Sequence, residues 1–162
     1  MIATGAEQRV ALYMDVENLV HDLREAGDYE GATDLVAGLV REVERRGVAV
    51  AKVAYCDASL ASRMAFGLAT VGVRTFPHRG GGTDVADELL ADEIANGLPD
   101  SADVVVIASG DHYFADVARA LHKRGKKVVV AARAGSLSWE LRGVADEVMS
   151  IGSPAAKAAV AA

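Results

Sequence analysis

Between Asp103 and Phe114 the chain reads Asp-Val-Val-Val-Ile-Ala-Ser-Gly-Asp-His-Tyr-Phe. The apolar run Val104 to Ala108 has no polar alternation, so a strand made of it must be covered on both faces. Phe114, Val117, Ala118 and Leu121 then recur at helical spacing. A buried strand followed at once by a helix is one unit of a parallel α/β sheet. Ser109 and Gly110 end the strand and deliver Asp111 to its carboxyl end, the edge where open α/β sheets bind ligands. Alone, such a carboxylate is no more than a helix cap; joined by acids from other strands it becomes one wall of a metal site.

The same unit recurs along the chain. Apolar runs at 10–14, 48–55, 73–76, 126–132 and 147–151 predict further strands, the last at an edge. Between them lie helical patterns. Leu19, Val20 and Leu23 follow Asn18, and the loop 26–31 breaks that helix. Thr33 is then expected to cap an amphipathic helix with Leu35, Val36, Leu39, Val40 and Val43 on one face, closed by Gly47. Further helices are expected over 58–70, 85–95, from Phe114 to near Gly125, and over 136–142, with a glycine-rich loop at 77–84. Strands alternating with helices over short connections imply a parallel sheet covered on both faces. The pattern leaves the strand order open.

At 162 residues the chain is sized for one domain with a real core. The expected division is a leader at 1–9, a domain at 10–151 and an alanine-rich disordered tail at 152–162. No run approaches the length of a membrane span and the start lacks a signal-peptide pattern, so no membrane role is expected. A single cysteine, Cys56, excludes an internal disulfide and fits a cytoplasmic protein. It reads as a small buried hydrophobe rather than a nucleophile. The net charge of −6 argues against a non-specific duplex binder, which needs many phosphate contacts.

Asp15 ends the first predicted strand, Asp57 the second and Asp111 the fourth, so all three face one edge of the sheet. Asp84 and Asp87 come from the loop and first helical turn after the third strand, on that same side and at i, i+3 spacing; Glu88 is close by. Carboxylates gathered in one crevice repel, so either some hold protons or a cation neutralises them. Oxygen ligands without a thiolate or imidazole set select Mg²⁺ or Mn²⁺. Asn18, one turn beyond Asp15, is suited to orient a water or phosphate oxygen without adding charge. Asp15, Asp57, Asp84 and Asp111 each alone also fit an N-cap, and Asp57 most of all. His78, Arg79 and the glycines after them suit either a phosphate cradle or a surface loop. His21 and His122 fit surface helix positions. Trp139 is expected to pack on the core, and Tyr113 to stand at the crevice mouth.

Three stretches together, Val10-Ala-Leu-Tyr-Met-Asp15-Val-Glu-Asn18-Leu, Gly82-Thr-Asp84-Val-Ala-Asp87 and Val106-Ile-Ala-Ser109-Gly-Asp111-His-Tyr-Phe114, resemble the NYN domain family of PIN-like nucleases over residues 10 to about 151. The resemblance implies an α/β fold of the PIN-like type, a three-layer α/β/α sandwich on a mostly parallel central sheet, and metal-dependent cleavage of RNA. It carries a metal role to Asp15 and Asp111, a polar active-site role to Asn18, and an acidic role to Asp84 and Asp87, either of which can be the principal ligand. It also implies a homodimer as one assembly. The chain departs from the family's usual S-G-D-x-D-F at Tyr113, where the family has a second acid.

Two functions follow from different classes. The first is a Mg²⁺- or Mn²⁺-dependent ribonuclease in which a metal-bound water attacks a phosphodiester of single-stranded or structured RNA. The alternative, favoured by Tyr113, is a catalytically degenerate PIN-like module that binds RNA or a protein partner without cutting. A nucleotide-phosphate enzyme is disfavoured, since the first strand is followed by Asp15-Val-Glu-Asn18 and not by a glycine-rich phosphate loop.

Overall fold

Strand and helix alternate as the apolar pattern requires. The computed structural model describes residues 6–79 and 85–152. In order these form β1 (Arg9–Asp15), α1 (Val16–Glu25), α2 (Tyr29–Arg46), β2 (Val48–Asp57), α3 (Ala58–Thr70), β3 (Arg74–His78), α4 (Val85–Gly97), β4 (Val104–Ala108), α5 (Phe114–Lys123), β5 (Lys127–Arg133), α6 (Trp139–Val144) and β6 (Glu147–Ile151). Residues 1–5 of the expected leader and 153–162 of the expected tail lie outside the described residues, as does Asp84.

The strands form one sheet in the order β3-β2-β1-β4-β5-β6, with every pairing parallel. Successive side chains of a strand point to opposite faces, and β1 shows what each face meets. Val10, Leu12 and Met14 enter a core with α1, α2 and α3, while Ala11 and Tyr13 enter a second core with α4, α5 and α6. The result is the expected three-layer α/β/α sandwich, with its sheet parallel throughout.

Among the element boundaries that differ from the sequence reading, two have a plain physical cause. Helix α2 starts at Tyr29, a turn before Thr33, because Asp28 is its cap and accepts a hydrogen bond from the Gly31 amide at 2.8 Å. Gly31 looks like a breaker, but a Cβ there would lie 2.2 Å from the capping carboxylate. Thr33 instead bonds back to the Tyr29 carbonyl at 2.9 Å. Strand β3 runs on through Pro77 to His78, paired with Cys56 and Asp57 of β2. As an edge strand it tolerates a residue with no backbone N–H to donate.

Candidate active site

The chain runs outward from β1 to β2 and β3, then returns to place β4 on the other side of β1. Connections leave these two strands in opposite directions, which opens a crevice at their carboxyl ends. A cleft of about 530 Å³ lies there, lined by Asp15, Asn18, Asp87 and Asp111 among others. Four of the five predicted site residues therefore meet in one cleft; the fifth, Asp84, is outside the described residues.

Asp15 is the last residue of β1 and the cap of α1, accepting from the Asn18 amide at 3.3 Å. Strand alternation turns it towards the α4 side, where Asp87 stands in the first helical turn. Both carboxyl groups are buried, at 5% and 3% exposure, and they hydrogen-bond to one another. Two carboxyls placed together in this way repel unless a proton or a cation comes between them. Burial drives the Asp15 carboxyl above its ordinary value, the bonds from Asp87 and the Asn18 amide oppose that, and the charges of Glu17 and Asp111 push it up further.

Asp111 lies in the turn after β4 and does not cap α5. Its Oδ1 accepts from the Tyr113 amide at 2.9 Å, and its own amide donates to Ser109 Oγ at 3.2 Å. The side-chain oxygen of Asn18 accepts from the Gly110 amide at 3.0 Å, tying the Asp15 turn to the Asp111 turn. That leaves the Asn18 amide nitrogen as the group able to meet a ligand. Gly110 has no room for a side chain, since a Cβ would lie 2.1 Å from the Ser136 carbonyl oxygen.

Asp57 is a structural residue. It caps α3 through the Leu60 amide at 2.9 Å and is clamped by both terminal nitrogens of Arg24. Cys56 is fully buried, and burial, aided by Glu17 and Asp57, pushes its thiol up to about 12. Trp139, expected in the core, is 80% exposed. Leu141 is the residue of α6 that turns inward, and the opposite side of that short helix faces solvent. Tyr113 faces the groove between α4 and α5 rather than the acidic cleft.

Several cleft residues were not singled out from the sequence in these roles. Glu17 lines the wall and accepts from His78 Nε2 at 2.7 Å and from the Asp57 amide at 2.5 Å. Arg133, at the end of β5, forms a two-pronged ion pair with Asp22 at 2.8 Å and bonds the Leu19 carbonyl at 3.0 Å. His21, read as a bystander, also lines the cleft. The available signal was position: Arg133, like the acids, follows an apolar run at the carboxyl edge.

The donor chemistry suits a hard divalent cation, being carboxylates and an amide without thiolate. A divalent cation would relieve the repulsion between the Asp15 and Asp87 carboxyl groups. Among the described residues, no three His, Cys, Asp or Glu side chains are grouped so as to hold a metal ion as they stand.

Residues 9–152 match the NYN domain family. The chain belongs to the NYN family. NYN domains are generally nucleases that act on RNA, and PIN-like nucleases generally use divalent metals. A crystal structure of a protein of unknown function from Vibrio parahaemolyticus RIMD 2210633, VPA0982, shares the fold with a TM-score of 0.72. The likeness covers 93% of this chain and 97% of that one at 23% identity. No functionally curated protein matches the chain. No helix of the described residues is long and apolar enough to cross a membrane.

Proposed function

We propose that this NYN domain is a ribonuclease that hydrolyses RNA phosphodiester bonds, with Mg²⁺ or Mn²⁺ held by Asp15, Asp87 and Asp111 and by Asp84, which directly precedes α4 in the sequence. The observation that carries the proposal is the buried, hydrogen-bonded Asp15–Asp87 carboxyl pair beside Asp111 in the cleft between β1 and β4. Burying two acids side by side is unfavourable for folding unless a ligand uses them. When bound, such an ion supplies an acidified water and a counter-charge for the phosphodiester under attack.

The protein's own groups do the positioning. Asp15 and Asp87 form the floor of the cleft, and Asp111 is aimed by its bond from the Tyr113 amide. Asn18 braces the Asp111 turn through Gly110 and presents its amide nitrogen to a phosphate oxygen or water. Arg133 offers no spare strong contact to substrate, because Asp22 and backbone carbonyls occupy its guanidinium; it shapes the wall instead.

The test is cleavage of a labelled single-stranded RNA in Mn²⁺ or Mg²⁺. Asp15→Asn should lower the rate by about a hundredfold or more, and chelation should abolish it. A wild-type protein that binds RNA in either ion without cutting it refutes the nuclease reading. That result would favour the non-cleaving module, for which Tyr113 in place of an acid is the specific observation.

A further inference from the structure

Trp139 is the protein's sole tryptophan, and its 80% exposure leaves an indole in water at a fixed place. Three features fix that place. Ser136, three residues earlier, lines the acidic cleft. The Ser138 amide donates to the Gly110 carbonyl at 2.9 Å, which docks the start of α6 on the turn carrying Asp111. Leu141 is fully buried on the opposite side of α6, anchoring the helix with Trp139 outward.

Arg142 is one helical turn from Trp139, so the two side chains are neighbours on one face. It is exposed and has no carboxylate partner among the described residues. An exposed aromatic face beside an unpaired guanidinium is the chemistry that holds unpaired nucleotides, the ring stacking on a base and the cation meeting the backbone. We propose that Trp139 and Arg142 form a base-stacking post for single-stranded RNA on the β5–α6 side of the cleft, seating a nucleotide next to the one whose phosphate lies at Asp111. The inference rests on RNA as the ligand of the site and not on whether the site cuts. The occupant is RNA rather than a protein because the post stands on the helix docked against the Asp111 turn and carries a cation on a chain whose net charge is −6. With one guanidinium at the post, stacking supplies most of its affinity and the salt dependence it adds is shallow.

The experiment uses the full chain carrying Asp15→Asn, titrated with a short oligouridine while the intrinsic fluorescence of Trp139 is followed. Saturable quenching is expected with the single strand, and little with a blunt RNA duplex whose bases are already stacked. In the otherwise wild-type chain, Trp139→Ala should weaken RNA binding about tenfold, with Trp139→Phe retaining most of it. If cleavage proves real, the Trp139→Ala loss should fall on KM and leave kcat nearly unchanged. RNA bound with unchanged Trp139 fluorescence, or bound equally well by Trp139→Ala, overturns the post and leaves Trp139 as a protein contact. Quenching by RNA in a wild-type protein that never cleaves keeps the post and removes only the nuclease reading.

Discussion

Asp15 and Asp57 end neighbouring strands, cap the following helices and have opposite electrostatic fates. For Asp57, burial pushes the carboxyl up, but hydrogen bonds from Arg24 and the Leu60 amide outweigh it and hold the group below the usual carboxylate range. Its charge therefore supports folding above the unfolded carboxyl pKa, and that support is lost as pH falls through the lower folded value. For Asp15, burial wins and the carboxyl is raised. The folded state then holds a proton that the unfolded chain releases, so stability falls as pH rises from the unfolded value, about 3.9. Asn caps a helix as well as Asp does. Asp15→Asn should accordingly raise Tm at neutral pH, and its advantage over wild type should shrink as the pH is lowered towards 4. Thermal melts of the two proteins across pH check this; a variant no more stable than wild type at neutral pH counts against a strained acidic site. Asp15, Asp87 and Asp111 could be read from the sequence because strand ends of a parallel sheet share one edge. The pairs Glu17–His78 and Asp22–Arg133 could not, since their members are 61 and 111 residues apart and nothing local marks them.

At the scale of elements, the close approach of the β4–α5 turn to the β5–α6 loop is the joint that sets the cleft. Gly110→Ala places a methyl against the Ser136 backbone, and a carbonyl held in a loop cannot swing aside as a side-chain tip can. The expected cost is about 1–3 kcal/mol of stability, with a loss of activity larger than at an unrelated surface glycine. Denaturant melts and a cleavage assay on the same preparation measure both. The alternation of strands and helices was legible because each is long enough to show its period, and the edge position of β6 followed from its partly polar run. Short or crowded features escaped. A six-residue helix such as α6 carries too little periodicity to say which side turns inward, so Trp139 was placed in the core. The glycine at 31 argues against a helix until the carboxylate of Asp28 is seen in the space a side chain would fill.

For the whole molecule, folding and ligand binding are linked through the acids. A cation that binds only the folded cleft stabilises it by about 2.7 kcal/mol at a hundredfold excess over Kd, which for a domain of this size is a rise of several degrees in Tm. Mn²⁺ should raise the Tm of the wild type in that manner and leave Asp15→Asn close to its metal-free value. Equal shifts in both proteins would mean the ion binds elsewhere. Asp15 and Asp111 hang from β1 and β4, the two strands at the middle of the sheet, each paired on both sides. The outermost strands, β3 and β6, carry neither of them. Partial damage should therefore leave few slowed molecules: a half-inactivated sample is a mixture of intact and unfolded chains, and its remaining activity counts survivors.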